Sequence, residues 1–240
     1  MTRDERALRE LPAWLWLVLA LALAVQLAWR AHEPSPSVRE ADLPPAPSAA
    51  ALRLASFGEP EAAARLAMLY LQAFDYGGAN ARPYRRLDYG RLVEWLGAIL
   101  ELDPRSDYPL FAAARVYAEN PDPAKSRLML EFIYREFFAD PDRRWPSLAH
   151  AALLARHRLN DLPLARRYAA AIQRSARSPD VPLWARQMEV FILEDMNEID
   201  AARIMLGGML ESGAIHDADE ARFLRQRLEA LERRLAPAGK

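Results

Sequence analysis

The sequence predicts an all-α protein in which one N-terminal transmembrane helix is followed by a stack of paired helices. Three observations lead to this fold class: a long uncharged run near the N-terminus, prolines that recur at nearly constant spacing, and a short acidic turn that recurs between them. Hydrophobic residues make up 52% of the 240 residues, which is ample for a sizeable core. We expect five segments: a short tail at 1–10, a transmembrane helix at 11–30, a proline-rich tether at 31–47, a helical repeat domain at 48–235 and a disordered tail at 236–240.

The composition excludes several classes of function. With 32 basic and 33 acidic residues, the net charge of −1 gives no overall field that would attract a nucleic acid. The chain has no cysteine, which rules out disulfides, thiolate zinc sites and thiol nucleophiles. No nucleophile, pair of catalytic carboxylates or set of metal ligands occurs at a suitable spacing, and His150 and His157 lie two turns apart, too far to share a metal. We therefore expect a protein that is not an enzyme and binds no cofactor, metal, small molecule or nucleic acid.

The predicted transmembrane helix rests on the run LPAWLWLVLALALAVQLAW, from Leu11 to Trp29, which contains no charge. As a helix this run is about 28 Å long, close to the roughly 30 Å hydrocarbon core of a bilayer. Trp14, Trp16 and Trp29 lie near its ends, where amphipathic rings favour the two interfaces. The alternative is a cleaved signal peptide with Ala22-Leu23-Ala24 as its small-residue site, but the length of the run and the acidic residues before it favour an uncleaved anchor.

The basic residues on either side of this run predict its orientation. Arg3, Arg6 and Arg9 precede it, whereas Arg30 and Arg39 follow it. The larger number before the run favours an N-terminus inside the cell. The protein is therefore expected in a bacterial inner membrane as a single-pass protein, with its repeat domain in the periplasm.

A candidate helix-pairing face lies within the predicted anchor. Ala20, Ala24 and Ala28 recur at every fourth residue, and small side chains at this spacing let two transmembrane helices approach closely. The alternative is that the spacing reflects only the abundance of alanine.

An internal repeat is visible when DPRSDYPLFAAARVYA, DPDRRWPSLAHAALLA and SPDVPLWARQMEVFIL are aligned. Six prolines mark its register in two series, Pro104, Pro141 and Pro179, and Pro109, Pro146 and Pro182. The spacings are 37 and 38 residues in the first series and 37 and 36 in the second. Since proline is tolerated in the first turn of a helix but not in its interior, these prolines predict helix starts. The tryptophans that recur at the junctions, Trp145 and Trp184, are expected to be core wedges.

A second mark recurs within the repeats: a turn that carries an acid, with a small residue four positions later. The four instances are Gly58-Glu59 to Ala63, Pro121-Asp122 to Ser126, Asn160-Asp161 to Ala165, and Asn197-Glu198 to Ala202. The acid accepts from free N–H groups at the start of a helix and complements its dipole, and the small residue lets two helices pack closely. Helix pairs of this length cannot bury their apolar faces alone and must stack.

These features resemble tetratricopeptide repeats. The resemblance is carried by the acid-to-small spacing, by Leu66-Ala67 with Tyr70, by Ala113-Ala114 with Tyr117, and by WLGAILELDP, and it covers roughly Ser48 to Gly213. It implies an α-solenoid of about four degenerate helix pairs, each about three residues longer than the usual 34. The layout of anchor, tether and array also resembles single-pass envelope proteins of Proteobacteria that serve secretion or assembly machines as adaptors.

The last segment predicts a helix that caps the stack. Asp217 and Glu220 form a capping box after Gly213. The apolar residues then follow a seven-residue pattern, at Ala221, Leu224, Leu228, Leu231 and Leu235. The alternative to a capping helix is a dimerisation helix.

The stretch from Phe74 to Gly90 is an insertion between a helix that ends near Ala73 and one that starts near Asp88. Gly77-Gly78 and Pro83 prevent a helix from running through it. Long loops on repeat scaffolds are often partner-binding elements, and Tyr and Arg supply much interface energy. The candidate binding residues are Phe74, Tyr76, Arg82, Tyr84, Arg85, Arg86 and Tyr89. The alternative is that the aromatic side chains plug the open end of the stack while the arginines solvate it.

The function predicted from these features is that of a membrane-anchored adaptor of the bacterial envelope. The helical-repeat groove would hold a peptide or helix from another protein, itself a membrane or envelope component. The alternative is a structural subunit of an inner-membrane secretion, pilus or transport complex, assembled mainly through the transmembrane helix.

Overall fold

The computed structural model describes residues 12–32, 43–74, 83–212, 215 and 217–235. All regular structure in these residues is helical, which confirms the all-α fold class. The chain divides into two compact units, Met1–Ala41 and Asp42–Lys240.

The first unit contains helix α1, Ala13–His32. The side chains of residues 14–29 are all exposed, including the alanines at 20, 24 and 28. Among the residues that the structure describes, no helix has both the length and the apolar character needed to cross a membrane. The transmembrane helix expected at 11–30 and its pairing face of Ala20, Ala24 and Ala28 remain predictions.

The second unit consists of ten further α-helices in its described part. Their bounds are α2 Ala49–Ala55, α3 Pro60–Ala73, α4 Tyr89–Leu102, α5 Tyr108–Ala112, α6 Pro123–Phe137, α7 Pro141–His157, α8 Leu162–Ser175, α9 Leu183–Asp195, α10 Ile199–Glu211 and α11 Ala218–Leu235. A π-helix at Ala113–Tyr117 continues α5, and a short 3₁₀-helix lies at Pro83–Arg85.

The packed part of this unit begins before the expected start of the repeat domain at residue 48. Leu43 is fully buried in the core. Its carbonyl accepts a hydrogen bond from Arg91 Nη1 at 2.6 Å, and the carbonyl of Pro44 accepts one from Trp95 Nε1 at 2.8 Å. The last residues of the expected tether therefore pack against α4, and residues 33–42 lie outside the described part of the chain.

The acidic turns begin helices as the sequence predicts. Glu59, Asp122, Asp161 and Glu198 are the N-caps of α3, α6, α8 and α10. The side chains of Asp122 and Asp161 accept from backbone N–H groups at 2.9 Å, whereas those of the two glutamates make no capping bond. The residue before the cap is left-handed in three turns, at Gly58, Asn160 and Asn197, with φ of 91°, 50° and 60°. Glycine and asparagine adopt this conformation at the lowest cost.

The small residues that follow these turns are closely packed. Ser126, Ala165 and Ala202 are fully buried, and Ala63 is half-buried. Ser126 Oγ also donates to the carbonyl of Ala118 at 2.7 Å, which joins α6 to the end of the preceding π-helix.

Three of the six prolines lie at helix starts, whereas Pro104 and Pro179 lie in turns four residues before α5 and α9 begin, so the prediction of a helix start is wrong for these two. Pro141 begins α7, Pro109 is the second residue of α5, and Pro182 is the N-cap of α9. Pro146, however, lies inside α7, so the prediction of a helix start there is wrong. Pro146 and Asp142 are both exposed, and water can therefore satisfy the Asp142 carbonyl that the proline leaves without its helical N–H partner.

Helices of the second unit pack against their neighbours in the chain and against the next helix but one. Direct neighbours touch from α6 through α11, and α3 touches α4. In addition α2 and α6 both touch α4, and α5 and α9 both touch α7. The buried core consists of two clusters, a main cluster from Leu43 to Ile192 and a smaller C-terminal cluster from Val190 to Leu231.

Helix α11 begins as predicted, but only half of the expected capping box forms. Asp217 Oδ1 accepts from the backbone N–H groups of Asp219 and Glu220 at 2.8 and 3.0 Å. The Glu220 carboxylate instead accepts from Gln187 Nε2 of α9 at 3.3 Å. Leu224 and Leu231 are buried against α10 and α9, so this helix covers the C-terminal cluster.

Candidate functional site

An apolar groove lies between α7 and α9. Its volume is about 160 Å³. It is lined by Ala152, Leu153 and Arg156 from α7 and by Trp184, Met188, Phe191 and Ile192 from α9. Half of the Trp184 surface is exposed, at 50%, and Leu153 is 39% exposed. A large indole that stays accessible beside a groove is able to make a contact with another molecule.

The positions of these residues follow from helical spacing. Trp184, Met188 and Phe191 recur at intervals of four and three residues, which places them on one face of α9. Ala152 is fully buried, and its small side chain leaves room in front of α7. The Trp184 ring also meets Trp145 edge to face, with ring centroids 5.5 Å apart. This contact with α7 holds the indole in place. Trp145 is a packing residue as expected, but Trp184 is not a core wedge, because half of it remains exposed.

One end of the groove is polar. Arg156 Nε lies 2.5 Å from Asp195 Oδ2, so an ion pair joins the last turns of α7 and α9. This pair leaves the groove without an uncompensated charge at that end. The lining therefore favours a ligand group that is apolar and uncharged.

Helices α3 and α5 also carry exposed apolar side chains. Tyr108 and Phe111 of α5 stack at a centroid separation of 6.4 Å, and both are about half exposed. Gln72 of α3 donates a hydrogen bond to the hydroxyl of Tyr108. Leu66 and Leu69 of α3 are more exposed still. Helices α3, α5, α7 and α9 thus each leave large apolar groups in solvent.

A polar cluster joins the segment after the π-helix to α7 through Glu119. Arg158 donates to the Glu119 carboxylate at 3.1 Å and to its carbonyl at 2.6 Å. His150 Nε2 lies 3.8 Å from the same carboxylate, too far for a hydrogen bond. Burial lowers the pKa of His150 and the nearby Arg115 lowers it further, while Glu119 offsets part of both effects. His150 is therefore held in its neutral form at neutral pH.

The predicted partner-binding loop is only partly described. Tyr76 and Arg82 lie outside the described residues. Phe74 caps the end of α3 and meets Tyr70 edge to face at 5.3 Å. Phe74 and Tyr84 are half-buried against the main cluster, whereas Arg86 is exposed. The predicted helix bounds at Ala73 and Asp88 are confirmed, since α3 ends at Ala73 and Asp88 is the N-cap of α4.

Tyr89 lies in the core and not on the loop surface. It is only 2% exposed. Its hydroxyl donates to the carbonyl of Tyr117 at 3.1 Å and accepts from Asn120 Nδ2 at 2.9 Å. Lys125 Nζ lies 5.2 Å from the centre of the Tyr89 ring and donates to the carbonyl of Arg85 at 2.8 Å. These bonds fix the base of the loop to the end of the π-helix.

Sequence reasoning missed both the groove and this polar network. The groove depends on how α7 and α9 pack, which no local pattern encodes. Asn120 offered a faint signal, because an Asn two residues before an N-cap Asp often bonds to the local backbone. It does so here: Asn120 Oδ1 accepts from the Asp122 N–H at 2.9 Å. Among the described residues, no three His, Asp or Glu side chains are arranged to hold a metal ion.

Comparison with known proteins adds no relative to these observations. No family model matches the sequence, and no match was found among curated proteins or solved structures.

Proposed function

We propose that this protein is an adaptor that binds another protein through the groove between α7 and α9. The observation that carries the proposal is the half-exposed Trp184 beside an apolar groove of about 160 Å³. A groove of this size accommodates one large apolar side chain, and a helix or extended peptide presents such side chains at regular intervals. Exposed tryptophan is among the residue types that contribute most to binding energy.

The proposed scaffold is a tetratricopeptide-like α-solenoid of about four helix pairs, closed by α11. Contacts between chain neighbours and between alternate helices support it, since stacked helix pairs produce both kinds of contact. The left-handed residue before each of three N-caps gives three of the four acidic turns a similar backbone form. In such a stack α3, α5, α7 and α9 would share one face, and their exposed apolar groups would extend the groove on both sides.

The proposed anchor is the segment 11–30, which would hold the adaptor in a bacterial inner membrane with the array in the periplasm. What supports it is sequence: residues 14–29 carry no charge and include a tryptophan near each end. Anchoring confines the search for a partner to the membrane surface, which raises the effective concentration of both proteins. A partner that is itself in the envelope would then need only modest affinity.

Site-specific photocrosslinking in intact cells tests the adaptor proposal. A photoreactive residue in place of Phe191 lies in the groove, whereas one in place of Ile204 on α10 is an exposed apolar control outside it. We expect the Phe191 position to capture a defined protein. In the same experiment, Trp184→Ala should reduce the capture about 30-fold, because loss of an anchoring aromatic costs about 2 kcal/mol. Equal capture from both positions, or capture that does not depend on Trp184, would contradict the proposal.

A second candidate function is a structural subunit that joins its complex through α1. The exposed, evenly spaced Ala20, Ala24 and Ala28 favour it. Exchange of residues 11–30 for an unrelated transmembrane helix separates the two functions. An adaptor keeps its groove-dependent partner after the exchange, whereas a subunit held through α1 no longer copurifies with its complex.

A further inference from the structure

We propose that the turn between α2 and α3 inserts into the lipid surface of the membrane through Phe57 and Leu54. Phe57 is 95% exposed and Leu54 is 83% exposed, which makes them the most exposed large apolar side chains of the described residues. The inference rests on the proposed membrane anchor, since α2 is the first helix of the array after it.

The backbone at Phe57 supports a role outside the monomer. Its φ is 50°, in the left-handed region that disfavours bulky side chains. The other described residues with positive φ are Gly58, Asn160 and Asn197, which are residue types that tolerate this conformation. The strain at Phe57 is not offset by packing, because its side chain is almost fully exposed. A strained residue without an internal contact points to an external one.

The hydrogen bonds of the turn suit an apolar environment. Within it the N–H groups of Ser56, Phe57 and Glu59 donate to the carbonyls of Arg53, Leu54 and Ser56 at 3.2, 3.4 and 2.9 Å. The Ser56 hydroxyl donates to the Arg53 carbonyl at 2.6 Å. Lipid offers no partners for backbone groups, so a segment that enters it must satisfy these groups internally. In this turn three backbone N–H groups and the Ser56 hydroxyl already have internal partners.

The turn itself is uncharged, and the nearest charges, those of Arg53 and Glu59, flank it on either side. Residues 54–58, Leu-Ala-Ser-Phe-Gly, carry no charge. The nearest preceding charge, Arg53, donates to the carbonyl of Glu101 at 3.3 Å and so extends toward α4. Aromatic and leucine side chains on an uncharged turn are typical of shallow insertion at the interface.

Fluorescence of the full chain in vesicles tests this inference. The protein has no cysteine, so a single introduced cysteine carries a polarity-sensitive label at a unique position. The label is attached at Ala55→Cys beside Phe57, at Ala20→Cys in the proposed anchor, and at Ile204→Cys as an exposed control on α10. Vesicles contain phosphatidylethanolamine and phosphatidylglycerol, with or without brominated acyl chains that quench the label on contact.

We expect the label at 55 to shift to the blue and to be quenched by brominated lipid, while the label at 204 shows neither change. Phe57→Asp should abolish both changes at 55 and leave the label at 20 quenched. Because Phe57 is exposed, this variant is expected to keep its helix content, which circular dichroism measures.

The outcomes separate the inference from the proposed function. Quenching at 20 without quenching at 55 overturns the inference and leaves the anchor standing. Quenching at 55 without quenching at 20 supports lipid contact at the turn and refutes the anchor. A blue shift at 55 that brominated lipid does not quench indicates a protein contact, such as a second copy of this chain, and overturns the inference.

Discussion

The main cluster and the C-terminal cluster of the second unit differ in size. The main cluster includes fully buried residues from α3 through α9, among them Leu96, Phe132 and Tyr168. The C-terminal cluster is much smaller and consists of Val190, Leu193, Ile199, Ala202, Leu206, Leu224 and Leu231. Helix α9 belongs to both clusters, since Ile192 packs into the first and Val190 into the second. Helix α9 therefore links the two clusters.

Ion pairs join α9 to α8 and to α11. Glu189 accepts from Arg166 Nε of α8 at 3.1 Å, and Glu194 accepts two bonds from Arg227 of α11 at 2.9 and 2.8 Å. The Arg227 guanidinium also lies 5.1 Å from the centre of the Phe191 ring. At the C-terminal end, where apolar contact is limited, charge-assisted bonds thus supply more of the attachment. Helices α8 and α11 are thus both held to α9 by ion pairs in addition to apolar contact.

The strongest test of the difference between the two clusters compares two buried leucines. Leu96→Ala in the main cluster should lower the free energy of unfolding by about 4 kcal/mol, because it removes buried methyl groups and leaves a cavity that dense packing cannot close. Leu224→Ala in the C-terminal cluster should cost about 2.5 kcal/mol, because α11 can relax toward solvent. Urea unfolding measures both values, and hydrogen exchange shows where the structure opens.

The exchange pattern decides whether the two clusters are separate. After Leu224→Ala we expect faster exchange only in α10 and α11, whereas Leu96→Ala should speed exchange throughout the array. If hydrogen exchange becomes uniformly faster in both variants, the two clusters unfold as one unit. The distinction between the main and the C-terminal cluster would then be wrong.

A smaller effect is expected from two adjacent glycines in α10. Nothing lies within 4 Å of a Cβ added at Gly207 or Gly208, so alanine fits at both positions. Each substitution by alanine should raise the free energy of unfolding by about 0.5–1 kcal/mol, since glycine loses more backbone freedom on folding. Thermal unfolding measures the gain.

The control for these substitutions is Gly58→Ala. A Cβ at Gly58 also meets no atom within 4 Å, but the φ of 91° strains any residue with a side chain. This variant should therefore be destabilised. If Gly207→Ala and Gly208→Ala are destabilised as well, the free space seen beside α10 at these two positions is not available to a side chain.

The smallest expected effect is a pH dependence of the free energy of unfolding, caused by His150 of α7. Its pKa is lowered from 6.5 by burial first and then by Arg115. The folded protein holds this residue neutral, whereas the unfolded chain binds a proton near pH 6.5. The stability that neutral His150 contributes is therefore complete above about pH 6.5 and is lost as the pH falls below that value.

His150→Gln should remove this part of the acid sensitivity. The free energy of unfolding measured at pH 7.5 and 5.5 should differ less in this variant than in the wild type. His157→Gln, at an exposed position of the same helix, should leave the difference unchanged. A larger pH effect in the His150 variant would contradict the neutral state assigned to this histidine.

The turns between helices could be predicted from the sequence because their signals are local. An acid that caps a helix and a glycine or asparagine before it, as at Asn160 and Asp161, act within a few residues. Pro146 was mispredicted because its tolerance depends on which face of α7 meets solvent. That face is set mainly by α8 and α6, the helices against which α7 packs most extensively, and not by α7 itself.

The candidate site was less accessible to sequence reasoning. Trp145 and Trp184 lie at similar places relative to the recurring prolines of the sequence, yet one is largely packed and the other lines a groove. Tyr89 looked like a loop aromatic, but its hydroxyl bonds to Asn120, which is 31 residues away. In both cases the outcome depends on contacts between helices, and composition and spacing carry no information about them.

The packing of each helix against its near neighbours has a consequence for synthesis of the chain. Arg144 reaches back 40 residues to the carbonyl of Pro104, and Arg227 reaches back 33 residues to Glu194. Contacts that reach back only to the preceding helices form before distant parts of the chain are needed. Each helix is therefore able to pack against the preceding ones while the ribosome is still translating the next.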